Sequence, residues 1–155
     1  MKLYLVQHGD ALSKKINPQR PLSDQGHQDV QKMSQFLKQS DVKVEQVIHS
    51  GKLRARQTAD YLSKNMAIGK TLQINDKINP NDSPQCIAQN IMTWECDSLI
   101  VGHLPFMAKL VSYLVLGSDE SAVVAFQPGT VVCIQRDEEQ KWQINWMIRP
   151  ELLTD

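Results

Sequence analysis

Met1-Lys2-Leu3-Tyr4-Leu5-Val6-Gln7-His8-Gly9-Asp10 opens the chain. Leu3 to Val6 is a short, unbroken apolar run, the pattern of a strand buried on both faces. Gln7 and His8 end it, and Gly9 lets the backbone turn sharply. A second stretch, Ser98-Leu99-Ile100-Val101-Gly102-His103-Leu104-Pro105, has the same layout. Open α/β sheets bind ligands in the crevice outside the carboxyl ends of their strands. Two buried strands that each end in a histidine suggest that His8 and His103 face one crevice. The competing reading leaves them as unrelated loop histidines.

The rest of the chain alternates strand and helix. After the strand at 2–7 comes a loop over 9–22. Ser23 is an N-cap with Asp24 in the first turn, and Val30, Met33, Phe36 and Leu37 recur at helical spacing up to about Gln39. Val44 to Ser50 reads as a strand, Lys52 to about Met66 as a helix with Gly69 just past its end, and Thr71 to Ile74 as a weak strand. Ser83 and Pro84 open a short helix running to about Trp94. Leu99 to Gly102 is the fourth strand, and Pro105 opens a helix closed by Gly117. The pattern then changes. Ala122–Phe126, Thr130–Gln135 and Trp142–Ile148 read as strands, the last two joined as a hairpin by the polar turn at 137–140. This order implies a mixed sheet covered by helices on both faces. No repeat, low-complexity segment or linker interrupts it, so a single domain over 1–155 is expected.

Composition narrows the function classes. The chain has 155 residues, enough for a core, with 41% hydrophobic and 22% charged residues. Seventeen Lys and Arg balance 17 Asp and Glu. Bulk charge therefore points to neither nucleic acid nor a membrane surface, and an anion site has to be a local cluster. Cys86, Cys96 and Cys133 are an odd count without metal-ligand spacing and read as free thiols of a reducing compartment. No apolar stretch is long enough to span a bilayer, and the run at 3–6 is too short for a signal peptide. A cytoplasmic monomer is expected.

Three groups converge on the expected crevice: Gln7-His8-Gly9, the strand-to-helix stretch Ser50-Gly51-Lys52-Leu53-Arg54-Ala55-Arg56-Gln57-Thr58, and Val101-Gly102-His103. Arg54 falls in the first turn of its helix, where free N–H groups and the dipole favour an anion. A planar guanidinium there can grip phosphate oxygens as a fork. Arg20, in the loop after the first strand, is within reach of the same crevice. Two histidines and one or two arginines suit phosphoryl transfer, with one imidazole attacking phosphorus and the other groups balancing charge on the equatorial oxygens.

The segments LVQHGDA, RPLSDQG, HSGKLRARQTAD and LIVGHLPF, in this order, resemble the histidine phosphatase superfamily, the phosphoglycerate-mutase-like proteins. The short chain, the RPLS loop and the ending FQPGTVVCI…WMIRPELL resemble its small bacterial SixA-type phosphohistidine phosphatase branch. The resemblance implies a three-layer α/β/α fold, no cofactor or metal, and a covalent phosphohistidine intermediate. By position it makes His8 the nucleophile, Arg54 a phosphate clamp and His103 the second histidine at the phosphoryl group. Gln7, Gly9, Arg20 and Ser50 are the expected phosphate or substrate contacts.

Two positions depart from the family pattern. The signature is Arg-His-Gly, whereas Gln7 precedes His8 here. A fixed cation beside the nucleophile is lost, and a charge-assisted hydrogen bond is worth about 1.5–3 kcal/mol. Larger relatives carry a Glu general acid after the third strand, where this chain has Lys77 in Asp76-Lys77-Ile78-Asn79-Pro80. The small branch often manages without that acid, and a phosphoramidate is already labile; Asp76 or Asp82 are the stand-ins the sequence offers.

Other residues read as structural. His27 is expected on a solvated helix face, and His49 packed or locally bonded. Lys14 and Lys15 are expected in a solvated loop, with screening of an acidic protein substrate as the second reading. Arg56 is expected to point away from Arg54, about 200° around the helix, and Trp142 and Trp146 to share one strand face. The leading function is a phosphatase acting on a protein phosphohistidine, on a phosphorelay or phosphotransfer protein. The alternatives are a small-molecule phosphomonoesterase and a weakly active or inactive phosphate or phosphoprotein binder, for which Gln7 is the main argument.

Overall fold

Strand β1 (Lys2–Gln7) runs through the middle of the molecule. Leu3, Leu5 and Val6 are almost wholly buried, as a run of apolar residues without alternation requires. The computed structural model describes residues 1–154. Over these it orders α1 (Asp24–Gln39), β2 (Gln46–His49), α2 (Leu53–Met66), β3 (Leu72–Ile74), α3 (Gln85–Ile91), β4 (Ser98–Gly102), α4 (Phe106–Leu116), β5 (Val131–Arg136) and β6 (Trp142–Ile148) into a six-stranded sheet in the order β3-β2-β4-β1-β5-β6. The β1, β2, β3 and β4 pairings are parallel, and β5 and β6 add antiparallel.

Alternate residues of the strands feed two separate cores. Leu3, Leu5, Ile100 and Val132 pack with Ile87 and Ile91 of α3 and Phe106, Leu110 and Val111 of α4. Tyr4, Val6, Leu99 and Val101 pack with Val30, Met33 and Leu37 of α1 and Ala59 and Leu62 of α2. This is the three-layer α/β/α arrangement. Ser23 caps α1, its hydroxyl accepting the Gly26 N–H at 3.0 Å, and Gly117 closes α4 in the left-handed conformation with φ 79°.

Two sequence expectations fail. Residues 122–126 do not form a strand. Val124 and Phe126 are buried while Val123 and Ala125 face out, so the two-residue period is real, but the segment has no ladder partner. It is tied down instead by Arg149 donating to the Ala125 carbonyl at 2.8 Å and by Val123 N–H donating to Ser112 Oγ at 3.3 Å. Trp142 and Trp146 lie on opposite faces rather than one. Cys133 pairs with Trp146 and Ile134 with Ile144, leaving Asn145 as an extra residue in β6. This bulge reverses the side-chain alternation, sending Trp142 into the α3/α4 core and Trp146 against Tyr4 on the other side.

Gly26 sets how the loop after β1 lies on α1. A Cβ there would stand 2.0 Å from the Asp10 carbonyl oxygen, a backbone atom that cannot swing aside. Gly26→Ala should therefore destabilise the protein by about 3 kcal/mol, the upper end of overpacking costs, despite alanine's better helix propensity of about 1 kcal/mol. A lowered urea midpoint with unchanged slope checks this, and an unchanged midpoint would contradict it.

Candidate active site

The carboxyl ends of β1 and β4 are adjacent, with Gln7 paired to Gly102. Their continuations place His8 and His103 side by side, ring centroids 5.0 Å apart and planes at 54°. The two are thus not unrelated loop residues. Both line a crevice of about 390 Å³ with Gln7, Asp10, Arg20 and Arg54. Among the sequence-derived candidates, Gln7, His8, Arg20, Arg54 and His103 meet there; Gly9 and Ser50 do not line it.

Gly9 and Ser50 act from behind. His8 Nδ1 lies 2.7 Å from the Gly9 carbonyl. A carbonyl only accepts, so Nδ1 carries the proton and Nε2 keeps its lone pair. Gly9 N–H donates to Thr58 Oγ1 at 3.0 Å, and Thr58 donates to the Arg54 carbonyl at 2.8 Å. Thr58 thereby ties the nucleophile's turn to the arginine's helix, four residues on from Arg54; the sequence reading gave it no role. A side chain at position 9 would meet Val30 Cγ2 at 2.6 Å, which is why this close approach needs glycine. Ser50, expected as a phosphate contact, is buried with its Oγ 2.6 Å from His103 Nε2. Ser50 Oγ also accepts the Lys52 N–H at 3.3 Å, and His103 Nδ1 is a buried atom without a partner among the described residues.

Arg54 sits in the first turn of α2, whose N-terminus has no side-chain cap and no acidic residue. Its Nε–H donates to His8 Nε2 at 3.3 Å, so the guanidinium rests on the atom expected to attack. Arg20 has a left-handed backbone, φ 49°, a conformation costing about 1–3 kcal/mol for a residue with a side chain. Arg20 N–H donates to the Asn17 carbonyl at 2.9 Å and its Nε–H to Leu12 O at 3.0 Å. Such strain tends to collect at functional sites.

The electrostatics keep both imidazoles neutral. Burial first, then Arg54 and Arg20, lower the His8 pKa to about 4 against the pull of the Gly9 carbonyl. Burial, His8 and the neighbouring cations lower His103 to about 3. A neutral His8 therefore does not depend on an arginine at position 7. Gln7 is itself buried, and its Oε1 has no hydrogen-bond partner among the described residues.

The carboxylates offered by the sequence fall elsewhere. Asp76 and Lys77 do not line the crevice, and Asp82 lies on an outer groove, accepting the Asn79 N–H at 2.8 Å. Asp10, which the sequence reading gave no role, is the acid on the crevice wall, accepting from Ser23 Oγ at 2.5 Å. Of the remaining histidines, His27 Nδ1 is 2.9 Å from the Tyr61 hydroxyl and His49 accepts the Gly51 N–H at 3.1 Å. Among the described residues no three His, Cys, Asp or Glu are grouped to hold a metal ion, and no helix is long and apolar enough to cross a membrane.

Known proteins share this fold. Phosphohistidine phosphatase SixA of Escherichia coli strain K12 is 24% identical over 155 residues, covering 97% of this chain and 94% of its own. A solved structure of the protein histidine phosphatase SixA with tungstate superposes with a TM-score of 0.87 at 23% identity, covering 98% of this chain and 99% of its own. The α-ribazole phosphatase of Shigella flexneri has the same fold, with a TM-score of 0.76 at 15% identity and 97% coverage of each chain. The model of the histidine phosphatase superfamily, branch 1, matches residues 3–79, the segment that carries the Gln7-His8-Gly9 turn, Arg20 and the start of α2. The chain belongs to the histidine phosphatase superfamily.

Proposed function

We propose that the chain is a phosphohistidine phosphatase that works through a covalent phosphoryl group on His8. The observation that carries this is the fixed tautomer of a neutral His8, with its Nε2 lone pair facing Arg54. Nε2 forms a bond to phosphorus as the phosphorus–nitrogen bond of the substrate imidazole breaks. The leaving nitrogen keeps the electron pair and takes a proton from solvent. Arg54, Arg20 and His103 balance charge on the equatorial oxygens. Water then attacks phosphorus and loses a proton to solvent, returning the electron pair to His8 Nε2 and releasing phosphate. Neither step needs a strong general acid, which agrees with Asp10 being exposed and bonded to Ser23. The likeness to SixA, a phosphohistidine phosphatase and protein histidine phosphatase, supports a phosphohistidine protein as substrate, and the substrate proposed is a phosphorelay or phosphotransfer carrier. Turnover of a phosphohistidine protein well above that of sugar phosphates, absent in His8→Ala, tests this reading; preference for the sugar phosphates would make the chain a small-molecule phosphomonoesterase.

The pH profile follows from His8. Below its pKa of about 4 the imidazole gains a proton and loses the attacking lone pair. kcat/KM, corrected for acid hydrolysis of the substrate, should be flat from neutral pH down to about 5 and then fall about tenfold per pH unit. An acid limb near 6.5, the ordinary histidine value, would contradict the buried neutral His8.

Gln7 predicts a slow enzyme, and for one reason only. Since burial, Arg54 and Arg20 already hold His8 neutral, the missing cation matters through transition-state charge alone. Gln7→Arg should raise kcat/KM about tenfold, or about 1.4 kcal/mol. No gain, together with a severe loss for Arg20→Ala, would show that Arg20 already supplies that charge. An unreactive wild type that still binds phosphate would favour the binder reading, for which Gln7 in place of the family's arginine is the argument.

A further inference from the structure

The crevice opens into a larger groove of about 810 Å³, and the two share Arg20, Arg54 and Pro80. Lys14, Arg20, Lys52, Arg54 and Arg56 line this groove against one carboxylate, Asp82. The chain as a whole is neutral, so the imbalance is local. Asp82 is already engaged with the Asn79 N–H, and among the described residues none of the five cations is in an ion pair. Arg56, expected to lie in solvent away from the site, is exposed but lies on the groove wall.

This arrangement costs the folded chain stability. Lys52, Arg54 and Arg56 crowd the first turn of α2, the positive end of its dipole, with no acidic residue among them. Lys52 and Arg56 are also a like-charge pair four apart. A local rule broken without a compensating contact inside the chain is expected where a ligand supplies the compensation. The cations run from the loop at 14–20 to the turn at 52–56, too wide a spread for one phosphate, and the inner crevice already provides the phosphate-sized site.

We propose that this groove seats a strip of Asp and Glu side chains beside the phosphohistidine of a carrier protein. The inner crevice performs the chemistry, and the outer cations select and steer the partner. The inference rests on the phosphohistidine reading for what enters the crevice, and on the groove alone for the acidic strip. Steering of this kind raises association rates about 10–10³-fold and fades as salt shortens the Debye length.

Two peptides test it, each phosphorylated on one histidine with phosphoramidate, one carrying Glu three, four and seven residues away and the other Gln at the same places. Wild-type kcat/KM should favour the Glu peptide at least about tenfold at about 50 mM salt, and the preference should vanish at about 500 mM. The triple variant Lys14→Gln/Lys52→Gln/Arg56→Gln should lose the preference while hydrolysing free phosphoramidate at the wild-type rate. Equal handling of the peptides, or an equal loss on phosphoramidate, would overturn the proposal. Binding of both peptides to His8→Ala separates the two readings. A Glu preference there without turnover by the wild type would uphold the groove and reject the phosphatase function; no preference there would reject the groove whatever the turnover.

Discussion

Arg54→Ala should lower kcat/KM on a phosphohistidine substrate by about 10²–10³-fold, the usual cost of removing one preorganised donor from a site of developing negative charge. The geometry makes the loss selective. Arg54 Nε–H already lies 3.3 Å from His8 Nε2, so it sits where the transferring phosphoryl group must pass. Burial comes first among the causes that depress the His8 pKa, ahead of Arg54. The variant should therefore keep a largely neutral His8, and its acid limb should stay well below the ordinary histidine value. Arg54→Lys should restore only part of the rate, because an ammonium lacks the planar fork. A loss below about fivefold, roughly 1 kcal/mol, would mean that Arg20 or the helix terminus carries the phosphate instead.

His8→Ala is expected to have the largest effect, a fall of at least about 10³-fold with no phosphoenzyme. His103 is not positioned to take its place, since its Nε2 is engaged with Ser50 Oγ at 2.6 Å and its Nδ1 is buried. His103→Ala should accordingly slow turnover while still allowing acid-labile label on His8. The double variant Arg54→Ala/His8→Ala should be no worse than His8→Ala, because groups that act as one unit are not additive. Labelling of His8→Ala at the wild-type level would reject the assignment of the nucleophile.

Much of this was legible locally. The apolar runs 3–6 and 99–101 have the pattern of buried strands, and ligands of an open α/β sheet lie at the carboxyl ends of such strands. That suggested one crevice for His8 and His103, the 50–58 stretch and the 9–22 loop offered Arg54 and Arg20, and in the structure these line one crevice with Gln7. What stayed hidden depends on pairing partners. The period of two at 122–126 reports burial, and burial does not require a ladder. The bulge at Asn145 is visible only against Cys133 and Ile134, so the two tryptophans could not be assigned to opposite faces from their spacing. Ser50 and Gly9 were placed at the right end of the right strands, but whether such a residue touches the substrate or the residue that does depends on side-chain direction. Thr58 and Asp10 went unnoticed because each acts through a residue distant in sequence, Gly9 for one and Ser23 for the other.

The most direct test is to map the phosphoryl group itself. The wild type, mixed with an excess of phosphohistidine protein and quenched in alkali within one turnover, should carry one phosphoryl group on His8, bonded to Nε2 because Nδ1 donates to the Gly9 carbonyl. Phosphorus NMR and peptide mapping would show it. Phosphate on His103, on His8 Nδ1, or release of phosphate with no labelled intermediate at any time point would contradict the account.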